Sequence, residues 1–366
     1  MSNTFLTPEV VAKEALMVLT GNLVMADLVH RDYSEDFVSV GDTITVRKPA
    51  KFSARNFNGH TEAQDIHESG VSVQLDRFRD VTVAVTSKEL SLDIADFSAQ
   101  VVEPAMQAIA QAIDQDSLAV AVENAKHVLE GTQNPTDLGD IATMAKYLDM
   151  AKAPMAGRSL VLHPEHKYRY ALTNNLSAVS YAGDNETLRD ALLGRVYTLD
   201  TYMDQNAPDS LSEEGGNCYT AYVTGTQGQN TVSLSGMKPA TATLQEGEGF
   251  ILGGYLYRFT ETVQASSGAI EQIHIDQPLN MDAQGKYVPV VNKPYSVAFH
   301  RNAIALVTRN LALPMGASNA AYASAGGLGV RVVYDYDSTT KTDKISFDVI
   351  YGIKALDEGM ICALVG

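Results

Sequence analysis

The chain has 366 residues, 45% of them hydrophobic and 19% charged, with 44 acidic against 27 basic side chains and a net charge of −17. That length holds two or three compact domains with a proper core and excludes disorder. The charge excludes a protein that clamps nucleic-acid phosphates or an anionic membrane surface, because either task needs a basic face.

Cys218 and Cys362 lie far apart and make no disulfide framework, no apolar run reaches membrane-spanning length, and the first residues (MSNTFLTPEV) carry no basic or apolar leader. The expected compartment is a reducing cytosol. Residues 1–21 read as an arm with one helix: Thr7 as N-cap, Pro8 as first helical residue, Glu9 at the positive end and Gly21 as the stop. Its apolar residues Val10, Val11, Ala15, Val18 and Leu19 have no obvious local partner, nor do Leu23, Val24, Leu28 and Val29 after it. A helix this short is marginal alone. It docks either on its own core or on a neighbouring molecule.

GDTITVRKP (41–49) alternates as a half-exposed strand, and VSVQLDRFRDVTVAV (71–85) alternates more strongly. The polar residues 50–70 between them form the tip of a long hairpin. The charges here are Lys51, Arg55, Glu62, Asp65, Glu68, Asp76, Arg77, Arg79 and Asp80. Exposed pairs inside one hairpin contribute only about 0–1 kcal/mol each. They form either a solvated face or pairs with another chain. Such a small gain does not explain their clustering as a stability device, whereas contacts across a molecular boundary, which salt weakens, would.

The longest helical run follows, over 92–129. A short helix is expected around Asp93–Gln100 and a long one from about Pro104 to Leu129. Met106, Ile109, Ile113, Val120 and Ala125 recur at helical spacing, alanines fill the gaps, and Gly131 and Pro135 close the run. At about 1.5 Å per residue this is a strut of about 39 Å.

TDLGDIATMAKYLDMAKAP (136–154) is the next helix, RSLVLHP (158–164) a buried strand, PEHKYRYALTNN (164–175) a helix, and GRVYTLDTYMDQNAP (194–208) a strand leading to a loop. Such interleaving indicates a mixed α/β domain. From Asp209 to Asn292 short strands alternate with Gly, Ser, Thr and Asn turns, the pattern of an inserted small β-barrel or sandwich. YSVAFHRNAIALVTRNLALP (295–314) resumes the α/β character. GVRVVYDYDSTTKTDKISFDVIYGIKAL (329–356) is a hairpin turning near Ser338–Asp343.

Candidate chemistry is sparse. His163-Pro164-Glu165-His166 has metal-type residues, but the histidines are three apart rather than four, and Pro164 opens a helix between them. Gly326-Gly327-Leu328-Gly329 precedes a strand, lacks the helix N-terminus that binds phosphate, and reads as a flexible connector. Asp335, Asp337 and Asp343 lack the glycine and closing glutamate of a calcium loop. Neither cysteine sits in a nucleophile motif with a histidine. No catalytic, metal or cofactor-binding residue is assigned.

The order of parts resembles the major capsid proteins of tailed bacteriophages. The segments that carry it are LTPEVVAKEALMVLTGNLVMADLVHRDY (6–33), GDTITVRKP (41–49), SKELSLDIADFSAQVVEPAMQAIAQAID (87–114) and GRVYTLDTYMDQNAP (194–208). To these are added LQEGEGFILGGYLYRF (244–259), YSVAFHRNAIALVTR (295–309) and VIYGIKALDEGMICALVG (349–366). The chain is most similar to the branch with an insertion domain, typified by the coat protein of short-tailed Salmonella phages.

The resemblance implies a Hong Kong 97-like α+β capsid fold. Its parts would be an N-terminal arm (1–43), an extended loop or E-loop (44–86), a peripheral domain with the spine helix (87–135 and 330–366), an axial domain (136–208 and 293–329) and an inserted β domain (209–292). It implies no enzyme activity and no cofactor. Copies would form the pentamers and hexamers of an icosahedral shell through procapsid assembly and maturation, with scaffolding and portal proteins as partners. The shell would enclose double-stranded DNA without specific binding, the chain would be made in the bacterial cytoplasm, and no membrane is involved. The arm (1–40) and loop (50–80), with Lys51, Arg55, Glu62, Asp65, Glu68, Arg77 and Arg79, would then lie on neighbouring subunits. Nothing resembles the lysine–asparagine cross-linking site of covalently linked relatives. Two other classes remain open: a secreted or tail-associated β-rich binding protein, and an α/β enzyme with a β accessory domain.

Overall fold

The structure is a computed structural model and describes residues 8–31, 43–47, 70–86, 98–131, 138–173, 193–207, 219–237, 240–291, 294–314, 319–337 and 342–366. The chain divides into two compact units, Met1–Ser117 with Ile304–Leu356, and Leu118–Ala303 with Asp357–Gly366.

The first unit is built on a five-stranded sheet whose axis is the 14-residue strand Thr342–Ala355. At about 3.3 Å per residue that strand is about 46 Å long. One edge pairs antiparallel with Leu328–Asp337 along its first half and with Ile304–Arg309 along its second, while the other edge pairs with Arg77–Thr86. Ala320–Ala325 completes the sheet beside Leu328–Asp337. The period-two alternation buries Ile345, Phe347, Val349 and Tyr351 on one face. The N-terminal helix, Pro8–Asn22, buries Val11, Ala12, Ala15, Leu16 and Leu19 and packs against the hairpin of 320–337.

The turn of that hairpin is Gly326-Gly327, at φ 57° and 77°. Positive φ at both positions is the two-residue turn that follows strand twist, and glycine adopts it without steric cost. A Cβ on Gly327 would lie 2.6 Å from the Arg31 carbonyl oxygen. The expected flexible connector is thus a tight turn packed against backbone.

Thr43–Arg47 and Gly70–Gln74 pair antiparallel, from Thr43 opposite Gln74 to Arg47 opposite Gly70. The expected hairpin is present, and its tip lies outside the described residues. Its second strand changes partner at Leu75–Asp76, and from Arg77 onward it belongs to the large sheet. Val73 and Leu75 bury against Ala305, Val307 and Leu356.

Residues 87–97, which hold most of the expected short helix, lie outside the described residues. A single π-helical turn, Ser98–Val102, leads into the long helix Glu103–Glu123. Residues 105 and 106, 109 and 110, 113 and 114, and 117 and 118 are buried, a stripe that repeats every fourth residue. The helix stops at Glu123 rather than Leu129 and is about 32 Å long. His127–Glu130 is instead a strand, parallel to Ile361–Val365. A ladder to a strand more than two hundred residues away overrides the local helical preference.

The second unit holds a six-stranded sheet in the order His127–Glu130, Ile361–Val365, Tyr295–His300, Arg158–Leu162, Leu199–Met203, Arg195–Val196. Helices Gly139–Met150 and Pro164–Ala171 supply Ile141, Met144, Leu148 and Tyr170 to a core with Leu160, Leu162, Leu199 and Ala298. Ile304–Arg309 lies in the first unit and Ile361–Val365 in the second, each with its pairing partners. The same unit contains a second six-stranded sheet, from residues 219–291, with its own core of Phe250, Tyr257, Phe259, Val223, Leu234 and Ile273. Its two end strands, Tyr255–Arg258 and Ile270–His274, meet just past their ends at the antiparallel bridge Phe259–Ile275. There the Thr260 N–H donates to the His274 carbonyl (3.2 Å) and the Asp276 N–H to the Arg258 carbonyl (3.0 Å).

Gly352 sits where the hairpin crosses the long strand, and a Cβ there would lie 2.0 Å from the Gln74 carbonyl oxygen. Backbone cannot yield as a side-chain tip can. Gly352→Ala should therefore cost at least about 2 kcal/mol in denaturant unfolding. Gly21, helical with nothing within 4 Å, is the control. Gly21→Ala should be neutral or stabilise by up to about 1 kcal/mol.

Candidate functional site

The root of the hairpin is a charged cluster around one carboxylate. Asp116 projects from the long helix, and Arg77 and Arg79 project from the same face of Arg77–Thr86, two residues apart. Arg77 Nη1 lies 2.8 Å from Asp116 Oδ1, and Arg79 Nη2 lies 2.9 Å from Oδ2 and 3.1 Å from Oδ1. The Tyr351 hydroxyl donates to Asp116 Oδ2 and accepts from Arg79 Nε at 3.4 Å. Burial pushes the Asp116 carboxyl up. Hydrogen bonds from Tyr351 and Arg79 and the charge of Arg77 outweigh it and hold the group below its ordinary value. The Arg79 guanidinium is raised, first by Tyr351 and then by Asp116.

Two residues earlier on the same helix, fully buried Asp114 serves the arm. Its Oδ2 accepts from the Val24 N–H at 2.8 Å and its Oδ1 from the Ala26 N–H at 3.0 Å. It caps the short helix Met25–Leu28, whose own N-cap residue, Val24, supplies no side-chain hydrogen bond. Farther on, the His30 N–H donates to the Ile304 carbonyl and its carbonyl accepts from the Leu306 N–H.

Of the seven charged residues expected at a molecular boundary, Lys51, Arg55, Glu62, Asp65 and Glu68 lie outside the described residues. Arg77 and Arg79 are brought together, and their carboxylate partner is in their own chain. The arm, in its described residues, likewise packs on its own chain. The sequence offered no signal for Asp114 or Asp116, since both partners of the cluster are distant along the chain.

No protein-family model and no curated protein matches the chain by sequence. Among solved structures, a chain of Mycobacterium phage Che8 is similar over 93% of this chain and 90% of its own, at 17% identity and a TM-score of 0.54. The capsid of Cyanophage P-SCSP1u is similar over 90% of this chain and 84% of its own, at 10% identity and a TM-score of 0.49. The mature capsid of bacteriophage PhiM1 is similar over 91% and 83%, at 9% identity and a TM-score of 0.49. The chain shares the α+β fold of the phage Che8 chain.

On that fold the metal-like and catalytic-looking residues are structural. His163 is the N-cap of Pro164–Ala171, its Nδ1 accepting from the Glu165 N–H at 3.1 Å. Ser296 Oγ accepts from the His163 N–H at 2.9 Å and lies 2.6 Å from His166 Nδ1. The Gly366 oxygen facing Nε2 can only accept, so Nε2 of the neutral ring carries the proton and the Ser296 hydroxyl donates to Nδ1. Both side chains are buried. The Cys362 thiol is pushed up to about 12 by burial. No group of three potential metal ligands occurs among the described residues.

Two tests follow from these clusters. Asp116→Ala leaves the Tyr351 hydroxyl and two guanidinium groups without their acceptor and should destabilise the chain by about 2–3 kcal/mol in denaturant unfolding. Reversing Arg77 and Arg79 to Glu should lower the melting temperature as well; an unchanged temperature would deny the cluster a role in the fold. The second test concerns pH. Burial, then the neighbouring His163 and Arg169 charges, push His166 down to about 4 from an ordinary 6.5. Between those values the unfolded chain binds a proton that the native chain does not, so stability falls as pH drops through this window. The loss from pH 7 to pH 5 should be about 2 kcal/mol for this group. His300, also lowered by burial, acts in the same direction. His166→Gln should be less stable at pH 7 but show a flatter dependence down to pH 5.

Proposed function

We propose that the chain is the major capsid protein of a tailed phage, and that its copies assemble into the icosahedral head. The observation that carries the reading is the likeness to the phage Che8 chain, which runs through nearly the whole of both chains rather than through one domain. The protein then acts by binding its own copies and not by catalysis.

Each part takes a task on this reading. The long helix and the five-stranded sheet serve as the peripheral domain, and the sheet around Arg158–Leu162 with its two helices as the axial domain. Residues 209–292 serve as the inserted β domain of the branch noted above. Their separate core and the closing bridge at Phe259–Ile275 support a small barrel there. The hairpin tip, with Lys51, Arg55, Glu62, Asp65 and Glu68, bears on a neighbour, while Arg77 and Arg79 hold the root through which that contact is positioned. Scaffolding and portal proteins are the further partners. A shell of acidic subunits encloses DNA without trapping its phosphates.

Electron microscopy of the purified chain tests the reading: closed shells, or clusters of five and six subunits, are expected. A small soluble oligomer under all conditions would refute it. Salt supplies a second test. Arg77 and Arg79 are paired internally, so repulsion between copies carrying −17 each should outweigh charge attraction between them. Raising salt from about 0.1 M to about 1 M shortens the screening length from about 10 Å to about 3 Å and should speed assembly. Slower assembly at high salt would restore attraction between subunit charges as the driving force.

A further inference from the structure

Arg158 is almost fully buried, and its guanidinium gathers three segments of the second unit. Its Nη1 lies 2.7 Å from Asp149 Oδ1 at the end of helix Gly139–Met150 and 3.3 Å from the Thr198 hydroxyl. Its Nη2 donates to the Ala153 carbonyl at 2.6 Å and its Nε to the Pro154 carbonyl at 2.9 Å. Each of the three segments carries a large exposed side chain immediately next to its contact with Arg158. These are Met150, beside Asp149; Met155, beside Pro154; and Tyr197, beside Thr198. They are 66%, 65% and 53% exposed. One buried cation thus ties together the segments that carry these three exposed side chains. Arg195 adds a tie at this corner, its Nη2 lying 3.4 Å from the Met155 carbonyl.

The turn that presents Tyr197 is strained. Tyr197 and Thr198 have φ of 45° and 74°, a conformation that suits Asn-Gly and that a β-branched threonine rarely adopts. A turn selected for stability alone would not keep this pair, and such strain is characteristic of functional positions. The charges around the corner cancel: Arg158 pairs with Asp149 and Arg195 with Asp200, and Lys152 adds a positive charge.

We infer that Met150, Met155 and Tyr197 form a contact surface for a second copy of this chain. A copy carrying −17 is repelled by most of the molecule but not by a corner that is neutral to positive. A backbone held by a buried hub loses less main-chain freedom on contact than a loose loop would. The inference rests on the shell reading above and specifies one place where subunits meet.

The test replaces Met150, Met155 and Tyr197 with Ser together and follows assembly by light scattering and electron microscopy. All three are exposed, so the melting temperature should stay within about 2 °C, while shells should form at least about tenfold more slowly than in the wild type. Wild-type assembly in the variant overturns the corner as a contact and leaves the shell reading intact. In parallel, a photo-crosslinking amino acid replaces Met155 in the otherwise unchanged chain. Cross-links between copies are expected. Their absence, or cross-links only to a different protein, overturns the inference, and this holds even if the triple variant misfolds. If the wild-type chain never forms shells, the shell reading fails by itself, and cross-linking in concentrated solution still decides whether copies meet at this corner.

Discussion

Residues two apart on an α-helix point about 200° away from each other. Asp114 and Asp116 therefore address opposite sides of the long helix, and the first unit uses both. Asp114 accepts two backbone N–H groups of the arm, and Asp116 accepts two arginines and a tyrosine from the root of the hairpin and the central strand. Neither can be replaced by an apolar side chain of similar size. The Val24 and Ala26 N–H groups would be left without these acceptors, at a cost of about 1–3 kcal/mol each where buried. The carboxylates also differ in environment. Asp114 is wholly enclosed and bound by backbone dipoles, whereas Asp116 is partly open to water and bound by full charges. The first fixes where the chain runs before the sheet begins, and the second fixes where the hairpin leaves it.

The long strand Thr342–Ala355 completes this arrangement. Both edges of its first ten residues are occupied, so its backbone offers little to another molecule there. The second half is shared between Ile304–Arg309 and the start of Arg77–Thr86. At that point the hairpin folds over the sheet face, and only glycine at 352 lets the Gln74 carbonyl approach. Val73 and Leu75 then cover Ala305 and Val307, which the alternation of Ile304–Arg309 places on that face. The change of partner at Leu75–Asp76 follows from these requirements: one strand cannot both lie across the sheet face and continue the sheet's edge.

What was legible in the sequence was what local rules determine. Pro8 opens a helix, Pro164 opens another, the alternation of 329–356 makes a hairpin, and the turn-rich segment after 209 is all strand in its described regular elements. What was not legible depended on partners far along the chain. His127–Glu130 carries helix-compatible residues and becomes a strand because Ile361–Val365 lies beside it. Gly326-Gly327 looked flexible because the packing of Arg31 against it is a tertiary fact. Arg77 and Arg79 looked available to a neighbour because nothing near them in sequence announces Asp116. The site suffered more than the fold, since a charged cluster is defined by who meets whom rather than by any periodicity.

The distribution of charge links the fold to the proposed assembly. Arg31, Arg77, Arg79, Arg158, Arg169, Arg195 and Arg331 each lie in an ion pair with a carboxylate of their own chain. Seven of the chain's 27 basic residues are thus committed to holding it together, while the acidic excess remains. Copies of such a chain gain little from long-range attraction, and contacts between them have to come from shape and apolar burial at places where the local charge is balanced. In the proposed shell, weak contacts of that kind, repeated over a closed surface, would let a misplaced copy leave before it is trapped. The same internal ion pairs keep the fold rigid while those contacts form and break. On the proposed reading the arginines act on assembly indirectly, by fixing the geometry that the apolar surfaces need.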